Sequence, residues 1–201
     1  YETIAERGWL WFGATIVLLI VLQDAYFYFT HRAMHHPKLF GSFHRVHHLS
    51  TRPTPWSAYS FAPGEAVVHA AFVPLVWAVV PMHELAVFAF LLFMIARNVL
   101  GHLSIELFPS GFARHRLWGL ITTTTHHGMH HRRSNANYGL YFTFWDRVMG
   151  TTDARYVSEF LRATGRSKGP LRALFSERAR RNVFNDSLRF APQTSLDSVH
   201  C

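Results

Sequence analysis

Ten histidines fall in three short clusters, and any fold of this chain must bring them to terms with one another. The clusters read HRAMHH (His31, His35, His36), HRVHH (His44, His47, His48) and HHGMHH (His126, His127, His130, His131), with His102 alone between the second and the third. Residues three or four apart share one face of a helix. His31 with His35, His44 with His47 and His48, and His127 with His130 and His131 can therefore each aim several imidazoles at one point. Imidazole is a good ligand for iron, zinc, copper and nickel. One zinc is filled by about four ligands, so three converging clusters, with about nine imidazoles, exceed one ion and suit two.

Composition decides the solvent in which such a site sits. Charged residues make up 16% of the 201-residue chain, well below the roughly 25% of soluble domains. The length suggests one domain or two. The single cysteine, Cys201, rules out an internal disulfide and any cysteine-based zinc or iron–sulfur site. A formal charge of +8 suits nucleic acid or an anionic membrane surface. No nucleic-acid recognition motif accompanies it, which favours the membrane.

The apolar residues fall in long runs. Trp9 to Leu22 carries no charge, and after Gln23 and Asp24 the run resumes to Phe29. Trp9 to Phe29 as a helix is about 30 Å long, enough to cross a bilayer core. No cleavage-site pattern follows it, which argues against a signal peptide. The sequence begins at Tyr1 rather than a methionine, which leaves room for a preceding helix. Two further runs, joined by Met82-His83-Glu84, predict a helical hairpin. Helices are thus expected near residues 8–35, 62–81 and 84–101, in an all-α membrane bundle of about three to four helices. A cytoplasmic, histidine-rich di-metal region would cap it. Residues 1–152 form the membrane-embedded domain in this reading. Residues 153–201 form a basic tail, with an amphipathic helix from Pro170 suited to anionic lipid. His83 and His115 are read as surface residues, and His69 as a helix–helix contact.

Asp24, Tyr28, His31 and His35 follow at steps of four, three and four, so they share one stripe. A carboxylate within a membrane helix is costly and needs a partner. Asp24 is expected to orient a ligand from another helix, since seven residues, roughly 10 Å, separate it from His31. A single crossing followed by the hairpin places every histidine cluster and His102 on one side. The other side, Tyr1 to Arg7 and the hairpin turn, holds one of the 20 Lys and Arg residues. The positive-inside rule then makes the histidine side cytoplasmic, at a bacterial inner membrane or the endoplasmic reticulum.

The motifs DAYFYFTHRAMHH, HRVHHLS, GHLSIELFP and HHGMHHRRSNANYGLYFTFWDRVMGT, in this order from about Asp24 to Thr152, resemble the fatty acid hydroxylase and sterol desaturase superfamily. The stretch after the third cluster looks most like sterol C-5 desaturases and C-4 methyl oxidases. The resemblance implies two iron ions, with zinc possible in a purified sample, held by His31, His35, His44, His47, His48, His102, His127, His130 and His131. Some members carry another histidine four residues beyond the one matching His102. Here Glu106 stands there, and Glu106 or His126 is available for that slot; a helix-end carboxylate is the other reading of Glu106. Asp146 resembles an orienting or structural residue.

The implied activity is hydroxylation or desaturation of a membrane lipid, a sterol or sterol-like lipid first and a fatty acyl or other lipid second. It needs electrons from outside, because no dinucleotide fingerprint, iron–sulfur set or haem domain is present. The resemblance suggests cytochrome b5, or a ferredoxin with its reductase. Two other classes stay open, a histidine-rich metal transporter or store and a zinc-binding member without turnover. Glu65 and His69 are few for a transport path.

Overall fold

A computed structural model describes residues 1–166; the amphipathic helix expected from Pro170 lies outside the described residues. Those residues are helical and contain no strand, only an isolated antiparallel bridge between Ile121 and Phe142. Helix α1, Gly8–Met34, has 27 residues and is about 40 Å long. Its end is written in Pro37. The residue before a proline is driven out of the helical region, and His36 is extended at φ −62° and ψ 136°. Pro37 then opens α2, Pro37–Phe43, and α3 is the single turn Arg45–His48.

The run expected as one helix over residues 62–81 is two pieces, α4, Pro63–Ala70, and α5, Phe72–Trp77. Pro74 has no N–H to offer the Ala70 carbonyl, so the ladder breaks there. Together the pieces reach about 22 Å, short of a bilayer core of roughly 30 Å. Helix α6, Glu84–Gly101, keeps the expected bounds. Among the described residues two helices, α1 and α6, are long and apolar enough to cross a membrane, where three to four were expected.

The N-terminal ends of α1 and α6 lie together. Trp11 Nε1 donates to the Pro81 carbonyl at 3.0 Å, and His83 Nε2 to the Glu2 carbonyl at 3.0 Å. His83 Nδ1 also accepts from the Leu85 N–H at the start of α6. His83 is therefore buried, not a surface residue, because both ring nitrogens are used. The C-terminal ends of both helices reach the histidines, so α1 and α6 run in the same sense and α4–α5 returns in the other. Leu19, Phe72, Met82, Val87 and Phe90 form the core among them. Outward faces stay apolar and exposed, with Leu10, Val17 and Val21 on α1, Leu75 on α5, and Phe88 and Leu92 on α6. An apolar surface of this extent marks contact with lipid or another protein.

Three helices complete the described chain: α7, Thr124–Arg133, α8, Phe144–Val148, and α9, Tyr156–Arg166. The Thr123 hydroxyl caps α7 by accepting from the His126 N–H at 3.2 Å. Ser134 ends it in the left-handed region at φ 56°. Tyr156 and Phe160 of α9 pack on Met129 and Ala113. Residues 156–166, placed with the tail on sequence grounds, thus lie against α7.

Candidate metal centre

Nine histidines converge at the C-terminal ends of α1 and α6 and divide into two groups. Ring nitrogens of His31, His35, His44, His48 and His130 lie within 4.8 Å of one another, and so do those of His47, His102, His127 and His131. The clusters do not each aim at one point, as their spacing suggested. Consecutive side chains on a helix do not face each other, so His47 and His48 on α3 enter different groups, as do His130 and His131 on α7. Each group is assembled from distant parts of the chain, and α3 and α7 serve both.

Hydrogen bonds at the far side of the rings show what the near side offers. Nδ1 of His31 faces the Tyr138 carbonyl at 2.9 Å, Nδ1 of His130 the Ala136 carbonyl at 2.8 Å, and Nδ1 of His102 the Asn98 carbonyl at 2.7 Å. Nδ1 of His44 faces Glu65 Oε1 at 2.7 Å. A carbonyl or carboxylate can only accept, so each Nδ1 carries a proton, and a ring in that tautomer turns a bare Nε2 lone pair inward. Those lone pairs meet. Nε2 of His31 and His44 are 2.9 Å apart, and Nε2 of His127 lies 3.0 Å from that of His102 and 3.1 Å from that of His131. Nε2 of His130 lies 3.1 Å from those of His35 and His48.

Facing lone pairs repel unless a proton or a cation stands between them. Protons are opposed. Burial, then the neighbouring imidazoles, lowers His35 and His131 to about 2 and His127 and His130 well below the usual imidazole value. Burial likewise lowers His48 and His102 to about 4. A metal ion fits. Two nitrogens about 2.1 Å from one ion and at right angles lie about 3.0 Å apart. The donor set, nine neutral nitrogens without thiolate, suits iron, zinc or copper.

The other candidate residues lie around this centre. Asp24 touches no imidazole; its Oδ1 accepts from the backbone N–H of Tyr141 at 2.8 Å and of Phe142 at 3.1 Å. It therefore anchors the loop after α7 rather than orienting a ligand directly. Asp146 holds the same loop, accepting from the N–H of Tyr138 at 2.9 Å and of Gly139 at 2.8 Å. That loop carries the Tyr138 carbonyl onto His31. A Cβ at Gly139 would stand 2.4 Å from the Phe142 carbonyl oxygen and 2.9 Å from Asp146 Oδ2, so only glycine fits. Glu106 and His126 belong to neither group. Glu106 Oε2 accepts from the Thr125 N–H at 2.9 Å and from its hydroxyl at 2.6 Å, at the positive end of α7. His126 points the other way, with Nε2 3.5 Å from Asp146 Oδ2 and its ring against Tyr156. His115 is exposed and accepts from the N–H groups of Leu117 and Trp118.

A cavity of about 330 Å³ opens directly on the centre, with His47, His102 and His127 on its wall and His44 beside them. Three residues of the four-nitrogen group thus face it, against one of the five-nitrogen group. Fewer protein ligands leave a coordination position open, and the group with fewer ligands is the one turned to the cavity. Phe27, Phe61, Phe72, Val73, Leu91 and Met94 make much of the remaining wall apolar, with Gln23, Tyr59, Glu65, His69 and Asn98 as its polar members.

Glu65 was set aside on sequence grounds as part of an incomplete transport path. Its spacing from His69, four residues within an apolar run, was the available signal. Replacing it with glutamine keeps the shape and removes the charge that fixes His44. Outer partners of this kind are worth about 10- to 100-fold in metal affinity, so Glu65→Gln is expected to release a bound metal ion to a competing chelator that much more readily. Unchanged release would show that Glu65 does not support the centre.

The family model of the fatty acid hydroxylases matches residues 16–151, the whole stretch that builds both histidine groups. This chain belongs to the fatty acid hydroxylase family. Relatives within reach of this family's motifs include a delta(7)-sterol 5(6)-desaturase of Gibberella zeae, 32% identical over 152 residues, or 75% of this chain and 45% of that one. A lathosterol oxidase of Rattus norvegicus is 27% identical over 154 residues, 75% of this chain and 50% of that one. A very-long-chain aldehyde decarbonylase of Oryza sativa subsp. indica is 34% identical over 145 residues, 69% of this chain and 23% of that one. The chain thus spans about half the length of the sterol enzymes it matches, and less of the decarbonylase. No solved structure matches it significantly.

Proposed function

We propose that this chain is the catalytic unit of an iron- and dioxygen-dependent enzyme that hydroxylates or desaturates a membrane lipid, a sterol or sterol-like one. The observation that carries this is the pairing of two sets of converging Nε2 lone pairs with an apolar cavity that opens onto them. His31, His35, His44, His48 and His130 would hold one iron, and His47, His102, His127 and His131 the other. Iron bound there would supply dioxygen activation and hydrogen removal from an unactivated carbon, with two electrons from an external donor.

The protein's own groups perform the supporting work. The Tyr138, Ala136 and Asn98 carbonyls and the Glu65 carboxylate hold four rings in the tautomer that can bind metal. Phe27, Phe61 and Phe72 exclude bulk water from the cavity, which protects a reactive site from side reactions. The relatives named for sterols support a sterol-like substrate. The two apolar helices and their exposed outer faces support a bilayer setting in which the histidine end faces the cytoplasm. The electron donor in this reading is cytochrome b5 or a ferredoxin with its reductase.

Metal analysis and dioxygen uptake decide the matter. Protein produced with iron should carry two irons per chain, and with a reductant and sterol it should consume dioxygen and give a product heavier by one oxygen or lighter by two hydrogens. Zinc at the same positions, with no uptake, would replace this reading with a structural one.

A further inference from the structure

We infer that Gln23, with His69 on the wall of the same cavity, forms a polar station within the largely apolar cavity that holds the hydroxyl group of a neutral lipid. This rests on the lipid-oxidation reading above and names the substrate feature that its cavity selects.

Gln23 lies on the inward face of α1, is 2% exposed and lines the cavity. Its Oε1 is buried and has no hydrogen-bond partner among the described residues. Buried polar groups are almost always paired, so an orphan on a cavity wall points to a ligand. A second polar side chain repeats the pattern. His69 stacks on Phe27, one helical turn from Gln23, with ring centroids 5.2 Å apart. Its Nε2 stands 3.5 Å from Glu65 Oε1, and neither ring nitrogen makes a hydrogen bond among the described residues.

The chemistry of these groups selects among lipids. An amide oxygen needs a donor, and a neutral imidazole can give or take one proton. A hydroxyl donates once and accepts as well, so it satisfies both. Among the described residues no Lys or Arg lines the cavity, while Glu65 does. A fatty acid carboxylate or a phosphate held at Gln23 would find no Lys or Arg and would share the wall with the Glu65 carboxylate, which is costly in an apolar site. Gln23 precedes His31 by eight residues, about 12 Å along α1. A lipid held there by its hydroxyl presents the metals with a carbon other than the one that bears the oxygen.

Equilibrium binding of radiolabelled lipids to the full chain in nanodiscs tests this, in matched pairs. Cholestanol is compared with cholestane, its skeleton without the hydroxyl, and 1-octadecanol with octadecane. At least one alcohol should bind about tenfold tighter than its hydrocarbon, and the pair that shows it identifies the skeleton as sterol or linear. Gln23→Leu, close in volume, should abolish that preference while leaving the hydrocarbon's affinity unchanged, which also shows that the variant is folded. His69→Phe should reduce the preference in part. Equal binding of alcohol and hydrocarbon to the unaltered protein would overturn the station and leave the lipid reading standing. Failure of all four lipids to bind would overturn both.

Discussion

Alanine at His127 is expected to drop iron from two ions per chain to one or fewer and to remove lipid oxidation. His127 Nε2 lies 3.0 Å from His102 Nε2 and 3.1 Å from His131 Nε2, so it is the hinge of the four-nitrogen group. Without it three nitrogens remain on the ion that faces the cavity. The loss in activity should exceed the roughly 10- to 100-fold that follows loss of an outer partner, because a direct ligand goes. Two controls set the scale. Glu106→Ala and His126→Ala alter two buried neighbours that touch neither group, the first in the segment before α7 whose carboxylate accepts from Thr125 and the second on α7 itself. Both should keep two irons. Elemental analysis of the three variants, beside turnover, checks this. Two tightly held irons in His127→Ala would remove it from the ligand set.

Alanine at Asp146 is expected to have the largest effect on stability. The carboxylate is fully buried and accepts from the Tyr138 N–H, the Gly139 N–H and the Thr151 hydroxyl at 2.7–2.9 Å. Each donor left unpaired in the interior costs about 1–3 kcal/mol, so three together exceed about 3 kcal/mol. For a chain of this size that is a fall in melting temperature of about 10 °C. The damage should also reach the metals, because the released loop carries the Tyr138 carbonyl that fixes His31. A thermal melt and iron content measured on one preparation test both parts. A variant that melts normally and keeps its iron would show that the loop is held by other means, chiefly Asp24.

How much of this centre was readable before the fold was known depends on the kind of group. The three clusters were, because three- and four-residue spacing can turn several imidazoles to one side of a helix; the set of nine, with the solitary His102 in it, was implied by the family resemblance. Their division into two groups was not. It follows from the packing of α1, α3, α6 and α7, which sets His47 and His48 back to back across two sites. Helices α1 and α6 were legible as uncharged apolar runs. The break in the arm between them was written in Pro74, but the apolar run around it reads as continuous. Asp24 was visible as an anomaly, yet its partners are main-chain N–H groups of Tyr141 and Phe142, which no side-chain pattern reports. The same holds for the Tyr138, Ala136 and Asn98 carbonyls, since every residue has a carbonyl.

The short helix α3 carries a consequence for the life of the protein in a cell. Helix α3 is four residues, Arg45–His48, far below the length at which a helix stands alone. Its two histidines belong to different groups, so metal that filled both groups would help to order the turn. Metal uptake and folding then become one equilibrium. Under iron limitation the unloaded chain would spend more time open and be cleared by proteases. Nutrient supply would therefore set the abundance of the protein as well as its turnover rate.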